Sequence, residues 1–218
     1  MRSPGFWIKD GTFSESECDR ILSVLARSVP RGRAGVRNLM SIDEIAEVAR
    51  DRRLLDIGRE LTGNELVPYK ATLFEKTGKA NWLVAFHQDT ALPVESEPTV
   101  NGWGPTTLKC GVRFSHAPTA ALVRILALRI HLDPSKPANG PLRVIPDSHR
   151  RRLTEDDFEA VKVSAPEIEC YVGRGGIIAM SPLLLHASSK SENDAPRRVL
   201  HIEYTDSLDL DGVRLAIA

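Results

Sequence analysis

The segment Trp82-Leu83-Val84-Ala85-Phe86-His87-Gln88-Asp89 has the composition of a β-strand that ends in a histidine and an acid two residues apart. Side chains at positions i and i+2 of a strand point to the same side of the sheet, so the imidazole and the carboxylate face one way. One more imidazole would complete the two-histidine, one-carboxylate face that holds Fe(II) and leaves positions open for other ligands. The spacing alone is not specific, because His131/Asp133 and His201/Glu203 repeat it.

The candidate third ligand, His186, ends the apolar run 177–185, which is expected to lie inside the protein. A histidine in that place is also compatible with a core residue that has no metal. A polar turn follows it and leads into Arg197 and Arg198 at the start of another strand. A buried guanidinium needs a carboxylate partner, which a dicarboxylic cosubstrate would supply. Strand alternation puts these two arginines on opposite faces and does not choose between them.

The periodicity of the chain changes at Gly63. Before it, Ser14 with Glu17 and Ser41 with Glu44 predict helix-capping boxes, Pro30 and Gly32 predict the end of the first helix, and Gly63 predicts the end of the last. After it come short runs rich in β-branched and large apolar residues, separated by turn residues. These runs are 65–75, 82–86, 122–132, 142–145, 168–172, 176–180 and 197–204.

We therefore expect a mainly β protein with N-terminal helices, built as a double-stranded β-helix, that is, a jelly-roll or cupin-like barrel. Residues 1–218 are interpreted as one domain, with 1–63 as helical support and 64–218 as the jelly-roll core. Residues 88–120 are an insertion between strands, which favours a lid or binding loop over a merely solvated loop.

Charge and cysteine content narrow the class of protein. The 218 residues carry 29 Lys+Arg and 29 Asp+Glu, a formal net charge of zero, which disfavours a nucleic-acid-binding protein or a polybasic membrane-surface protein. Cys18, Cys110 and Cys170 are far apart, so neither a disulfide framework nor a structural zinc site is expected. The N-terminus lacks the apolar core of a secretion signal and no run is long enough to span a bilayer, so we predict a cytoplasmic location.

Several blocks taken together resemble the phytanoyl-CoA dioxygenase family, whose members are Fe(II)- and 2-oxoglutarate-dependent oxygenases on a double-stranded β-helix. The matching blocks cover nearly the whole chain: 6–11 with 14–18, Trp82–Asp89, Leu132-Asp133, Asn139–His149, and Gly176–Met180 through His186 to Arg197. One departure is visible. The family turn Pro-Gly-Ser-His reads Pro146-Asp147-Ser148-His149 here, and aspartate tolerates the positive φ that glycine usually provides.

The resemblance implies roles for particular residues. It selects His87, Asp89 and His186 as Fe(II) ligands, and it selects Arg197, eleven positions after His186, over Arg198 as the partner of the 2-oxoglutarate carboxylate. Ser188 matches a hydroxyl that helps to hold the same carboxylate, and Thr72 and Lys76 match positions near the cosubstrate. Trp103 matches a family tryptophan at the mouth of the site. Further candidates for substrate contacts, taken from the residues themselves, are Lys109, Arg113 and His116 of the insertion and the strand residues Arg129 and His131. Lys109 and Arg113 are equally compatible with solvated loop positions.

Two functions from different classes are thus in competition. The first is an Fe(II)/2-oxoglutarate-dependent oxygenase that hydroxylates a small molecule with O2, an outcome that Asp89 favours because halogenating relatives lack this carboxylate. The second is a non-catalytic or differently catalytic cupin-like barrel that binds a metal or a small molecule. A complete ligand triad paired with Arg197 favours the first, because a binding barrel has no physical reason to keep both.

Overall fold

The computed structural model describes residues 4–30, 33–77 and 81–218, which form β-strands with a few helices. The α-helices are α1 Glu15–Ser28, α2 Asp43–Ala49, α3 Arg52–Thr62, α4 Thr119–Leu122 and α5 Glu155–Ser164. The strands of the first half are β1 Phe6–Lys9, β2 Gly35–Val36, β3 Val67–Lys76, β4 Val84–His87, β5 Ala91–Val94, β6 Thr106–Lys109 and β7 Val112–His116. Those of the second half are β8 Ile125–His131, β9 Leu142–Val144, β10 Ile168–Cys170, β11 Ile177–Met180, β12 His186–Ser188, β13 Arg197–Thr205, β14 Asp209–Leu210 and β15 Val213–Arg214.

Two antiparallel sheets carry the fold. The larger has the order β1-β11-β8-β13-β3-β2 and the smaller the order β10-β9-β12-β4. If the eight strands β3, β4 and β8 to β13 are numbered 1 to 8 in chain order, the larger sheet contains them in the order 1-8-3-6 and the smaller sheet in the order 2-7-4-5. This is the strand order of a jelly roll. The expected fold class is confirmed. Ala127 and Ile178 of the larger sheet pack against Leu142 and Val144 of the smaller one, so an apolar core lies between the sheets.

The helices cover the outer face of the larger sheet. Leu128, Leu200 and Ile202 alternate with inward-facing residues along β8 and β13, and they pack against helical residues such as Cys18 and Leu54. Helix α1 has the predicted capping box at Ser14 and Glu17. It ends at Ser28, before Pro30, whereas Gly32 lies outside the described residues.

The prediction that residues 1–63 are only helical is wrong, because this segment also supplies two strands. Strand β1 pairs antiparallel with β11, and β2 pairs with β3, so both extend the larger sheet at its edges. The alternation along β1 explains its place: Phe6 and Ile8 pack on the core between the sheets, whereas Trp7 packs on the helical side. An edge strand with alternating apolar faces gains backbone hydrogen bonds and burial that a short helix could not supply here.

The insertion 88–120 has regular structure of its own. It contains the three-stranded sheet β5-β7-β6 and the short helix α4. Leu92 and Val94 of this sheet pack with Tyr69, Leu210 and Leu215 in a separate apolar cluster. A merely solvated loop is therefore excluded for the strands of this segment. Among the described helices, none combines the length and the apolar character that crossing a membrane would require.

Candidate metal centre

His87 and His186 lie directly opposite each other in the smaller sheet. His87 is the last residue of β4, His186 is the first residue of β12, and the antiparallel register pairs the two positions. Asp89 follows two residues after His87, where its backbone N–H donates to the Pro182 carbonyl at 2.8 Å. The sheet thus brings together three side chains that are up to 99 positions apart in the sequence.

The ligand atoms of these three residues converge. One ligand atom from each lies within 4.8 Å of the others. Asp89 Oδ1 is 3.6 Å from His87 Nε2, and Asp89 Oδ2 is 3.6 Å from His186 Nε2. The two imidazole centroids are 4.2 Å apart. Such a face of two nitrogens and one carboxylate is the donor set that non-haem Fe(II) sites use.

Backbone carbonyls fix both imidazoles in the orientation that a metal needs. His87 Nδ1 lies 2.9 Å from the Ala85 carbonyl, and His186 Nδ1 lies 2.8 Å from the Leu184 carbonyl. A carbonyl oxygen only accepts, so each Nδ1 carries the proton and donates it. Each Nε2 then presents its lone pair toward Asp89. This outer hydrogen bond on a ligating histidine is the usual arrangement in metal sites.

The charges at the centre are those of a ligand set ready to bind a cation. Burial lowers the pKa of His186 to about 4, so this ring is neutral at physiological pH. Burial alone would raise the pKa of Asp89, but the two histidines outweigh it and hold that pKa well below its usual range. Burial opposes the charge on His87 as well, yet the hydrogen bond and the charge of Asp89 raise the net pKa of His87.

Gln88, between the two ligands, anchors this segment from the other face. Its amide nitrogen donates to the carbonyls of Arg151 and Leu183, and its amide oxygen accepts from the Leu153 N–H at 2.8 Å. The side chain is buried, so three otherwise unpaired polar groups depend on it.

A cavity of about 90 Å³ opens beside the triad. Its lining includes the apolar side chains of Phe74, Trp82 and Leu142 and the polar side chains of Ser188, Arg129 and Arg197. Small-molecule sites in proteins have this character, with apolar walls and few polar groups.

The structure separates the two neighbouring arginines of β13. Arg198 makes a bidentate pair with Asp133, with Nε–Oδ2 at 2.7 Å and Nη2–Oδ1 at 2.8 Å. Arg197 is 4% exposed, lines the cavity, and donates from Nε to the Asn139 carbonyl at 3.2 Å. Arg197 therefore presents its guanidinium to the cavity, whereas Arg198 is already neutralised on the opposite face.

Lys76 and Ser188 form a buried pair next to Arg197. Lys76 Nζ donates to Ser188 Oγ at 2.9 Å and to the Ser189 carbonyl. Burial, helped by the charge of Arg197, lowers the pKa of Lys76 to about 7. Thr72, four residues before Lys76 on β3, is buried, and its Oγ1 has no hydrogen-bond partner in the described part of the chain.

Three of the residues considered for substrate contacts, Trp103, Arg129 and His131, lie in different places. Arg129 lines the cavity, and His131, two residues later on β8, is fully buried. Neither ring nitrogen of His131 has a hydrogen-bond partner among the described residues. Trp103 does not line the cavity but packs against the apolar cluster of Leu92 and Leu210. Its place at the mouth of the site stays a prediction.

Sequence reasoning did not foresee a buried polar network behind the cavity. His201 and Glu203 were noticed there only as one of three His-x-acid pairs, yet Glu203 accepts from Tyr69 Oη at 2.6 Å and from Lys70 Nζ at 2.7 Å. His201 connects Glu203 to Arg129. The alternation that places Arg197, His201 and Glu203 on one face of β13 was the signal that could have located it.

Comparisons with known proteins agree with this geometry. No curated protein sequence matches the chain significantly. Among solved structures, EctD from S. alaskensis with 2-oxoglutarate and 5-hydroxyectoine is similar at 19% identity and a TM-score of 0.70, with 93% of this chain and 72% of that chain covered. AviO1 from Streptomyces viridochromogenes Tue57 is similar at 19% identity and a TM-score of 0.66, covering 96% and 93% of the two chains.

A third similar structure is SnoN, the non-heme alpha ketoglutarate dependent epimerase from nogalamycin biosynthesis, with 17% identity, a TM-score of 0.68, and coverage of 93% and 77%. At these identities the likeness establishes the fold. The family assignment rests on the sequence itself, because the model of the phytanoyl-CoA dioxygenase family matches residues 1–199. The chain belongs to the phytanoyl-CoA dioxygenase family.

Proposed function

We propose that this protein is an Fe(II)/2-oxoglutarate-dependent oxygenase that hydroxylates a small-molecule substrate with O2 and releases succinate and CO2. The observation that carries the proposal is the presence, in one cavity, of the triad His87, Asp89 and His186 together with Arg197, a buried guanidinium without a carboxylate partner among the described side chains. A barrel that only bound a metal would not need the arginine. A barrel that only bound an anion would not need the triad.

The residues present fit the metal. Both Nδ1 atoms face backbone carbonyls, so Nε2 is the ring nitrogen that each histidine would offer to the metal, and Asp89 supplies a carboxylate. Three protein ligands on one face leave the remaining coordination positions for cosubstrate and oxygen, which is the arrangement of the facial-triad oxygenases.

The residues present also fit a dicarboxylate. Arg197 and Ser188 line the cavity, and Lys76 Nζ donates to Ser188 Oγ. The unpartnered Oγ1 of Thr72 is on the strand that carries Lys76. Arginine recognises a carboxylate bidentately, and such charge-assisted hydrogen bonds are strong where water is excluded. We therefore assign the far carboxylate of 2-oxoglutarate to Arg197, with support from Ser188 and Lys76.

Fe(II) with 2-oxoglutarate and O2 supplies the oxidising chemistry that inserts oxygen into a C–H bond of the substrate. The protein binds and orients the reactants. Phe74, Trp82 and Leu142 give the cavity an apolar part of its lining, which disfavours water and strengthens the charged contacts. His87 and Asp89 have side chains that are 38% exposed, whereas that of His186 is 5% exposed, so the substrate reaches the centre from the side of His87 and Asp89.

The test is anaerobic addition of Fe(II) and 2-oxoglutarate to the purified protein. We expect the weak visible charge-transfer band of the chelate in the wild-type protein, and its loss in His186→Ala. The matched control is His116→Ala, since His116 is exposed on β7 and does not line the cavity. A protein that gives no band, or a band that survives His186→Ala, would contradict the proposal.

Turnover separates the two functions that the sequence left open. An oxygenase releases succinate from 2-oxoglutarate in the presence of O2, and mass spectrometry of a converted small molecule shows one added oxygen atom. If the band forms but succinate is never released, even without coupling to a substrate, a binding barrel is the better description.

A further inference from the structure

Two arginines in the cavity lack the partner that arginines have elsewhere in this protein. Arg129 is 7% exposed and Arg197 is 4% exposed, and neither has a carboxylate partner within the described chain. More exposed arginines do have one: Arg53 pairs with Asp51 and Glu17, Arg124 with Asp206, Arg151 with Asp157, and Arg198 with Asp133. The arrangement is the reverse of what folding alone favours, because a buried charge without a counter-charge is costly.

The charge of Arg129 also acts on Arg197. Burial together with that charge lowers the pKa of Arg197 to about 10, and burial lowers the pKa of Arg129 although the charge of Asp89 opposes this. Like charges in one buried cavity repel, and an anion between them would relieve the repulsion. The unpartnered Nε of Arg129 and both unpartnered ring nitrogens of His131 lie on the same face of β8. Three buried polar atoms without a partner among the described residues therefore share one face of β8, the face on which Arg129 lines the cavity.

A network behind the cavity holds Arg129 in place. Arg129 Nη1 donates to His201 Nδ1 at 3.1 Å, and His201 Nε2 lies 3.2 Å from Glu203 Oε1. Arginine only donates and an ionised carboxylate only accepts, so His201 must be neutral with its proton on Nε2. Burial by itself would raise the pKa of Glu203, but Lys70 and His201 lower it to about 2, which keeps the carboxylate ionised.

Other side chains hold Glu203 and His201 of this network in place. Tyr69 and Lys70 each donate to one oxygen of Glu203, so its hydrogen-bonding capacity is largely used on the protein side. Phe74 packs edge-on against the His201 ring at 5.6 Å and lies under the Arg129 guanidinium at 5.5 Å. The sequence of contacts Glu203–His201–Arg129 thus fixes the direction of one guanidinium without neutralising it, because His201 carries no charge.

We infer that Arg129 is a second guanidinium that binds a carboxylate of 2-oxoglutarate, and that His201 and Glu203 are the positioning residues that aim it. The inference rests on the proposed function. Two arginines match two carboxylates in number and sign, and Arg129 lines the same cavity as His87 and Asp89 but is much less exposed than they are. We therefore assign to Arg129 the ligand that is bound deeper in the cavity, which is the cosubstrate.

The first experiment measures 2-oxoglutarate binding by titration calorimetry on the Ni(II)-loaded protein, which binds without turnover. We expect Arg129→Gln to weaken 2-oxoglutarate binding about 30-fold or more, since loss of one partner of a buried charge pair is expensive. Binding of Ni(II) alone should be unchanged. The matched control is Arg198→Gln, which removes a guanidinium on the opposite face of the adjacent strand and should leave 2-oxoglutarate affinity as in the wild type.

The second experiment tests the positioning role. His201→Ala removes the acceptor for Arg129, and we expect about a tenfold loss of 2-oxoglutarate affinity with Ni(II) affinity intact. His201→Gln can still accept from Arg129 through its amide oxygen and donate to Glu203, so it should recover most of the affinity. Thermal unfolding of the metal-free variants shows that they fold. If His201 had only a structural role, its substitution would change the unfolding temperature, but the Ala and Gln variants would not differ in 2-oxoglutarate affinity.

The outcomes separate this inference from the proposed function. If wild-type protein with Ni(II) binds no 2-oxoglutarate, the proposed function itself fails. If the wild type binds it and folded Arg129→Gln binds it equally well, only the inference about Arg129 is overturned. If Arg129→Gln weakens binding but His201→Ala and His201→Gln both match the wild type, the positioning role of His201 is overturned.

Discussion

The burial of Lys76 lowers the stability of the metal-free protein and places an ammonium group where it can contribute to anion binding. Its ammonium is buried beside Arg197, and its pKa is lowered to about 7 chiefly by that burial. Between pH 7 and the ordinary lysine value of 10.5, the native chain therefore holds fewer protons on this group than the unfolded chain does. Because stability rises with pH wherever the unfolded state binds more protons, Lys76 makes the metal-free protein gain stability over that interval.

We expect Lys76→Met to stabilise the metal-free protein at pH 7 by on the order of 1 kcal/mol, because an apolar side chain replaces a buried charge. The same change should weaken 2-oxoglutarate binding and remove the loss of affinity that the wild type shows as pH rises above 7, since the anion favours protonated Lys76. Urea unfolding at pH 7 and pH 9.5 and calorimetry at both values check this. A variant that is less stable at pH 7, or that keeps the wild-type pH dependence of binding, would contradict it.

Residue identity was predictable where the chemistry is distinctive. His87, Asp89 and His186 could be named from spacing and family blocks, and the structure brings their ligand atoms together. The pattern of residues alone could not choose between Arg197 and Arg198, because the choice depends on Asp133, which reaches Arg198 from a bend after β8. That contact joins residues 65 positions apart and leaves no local signal.

At the scale of an element, the turn Asn139-Gly140 connects the cavity to the rest of the fold. The Asn139 carbonyl accepts from Arg197, and Gly140 has a φ of 67°. A Cβ at position 140 would lie 2.3 Å from the Ser189 carbonyl oxygen, which is also an acceptor for Lys76. Glycine is therefore required at this position for two reasons, the backbone conformation and the space.

Gly140→Ala should lower the free energy of unfolding by about 1–3 kcal/mol and weaken 2-oxoglutarate binding, because the strained turn displaces Ser189 and Arg197 together. The matched control is Gly63→Ala. Gly63 has a φ of 80° at the end of α3, but nothing lies within 4 Å of an added Cβ. This control should cost stability without changing the affinity. Equal effects of the two substitutions on binding would show that the turn does not position the cavity.

Elements with a strong local signal were predicted, and those that depend on distant partners were not. The long runs became β3, β8 and β13, and Asp147 has the positive φ of 63° that its substitution for the family glycine implied. The capping box predicted at Ser41 is absent: its Oγ donates instead to the Asn38 carbonyl. The single helix expected there is two, because Asp51 caps a new helix by accepting from the Arg53 N–H.

The three-residue strand β12 could not be foreseen from periodicity. It is buried on every residue, and its pairing with β4 and β9 alone defines it as a strand. The insertion 88–120 is similar, because its strands are short and β5 contains Pro93. In both cases the pairing of strands that are distant in the sequence determines the structure, because local propensity does not.

For the whole molecule, the net charge of zero conceals an uneven distribution. Many exposed arginines pair with carboxylates, whereas Arg129, Arg197 and Lys76 are buried, and Arg129 and Arg197 line the cavity together with Asp89. The folded chain without ligands therefore carries unbalanced positive charge beside the cavity. A metal together with a dianion fits this interior, and each would add stability because it binds the folded chain and not the unfolded one.

We expect Ni(II) and 2-oxoglutarate together, each at about 100 times its dissociation constant, to raise the free energy of unfolding by about 2.7 kcal/mol per ligand. For a chain of this length, each such increment corresponds to roughly 5–11 °C in the unfolding temperature. The control ligand is 2-oxobutyrate, which offers the same chelating 2-oxoacid group but lacks the second carboxylate that Arg197 would bind. At equal concentration it should give a clearly smaller increase, measured by differential scanning calorimetry. Equal increases for the two ligands would mean that the buried arginines do not recognise the far carboxylate, and the interior charge would then need another explanation.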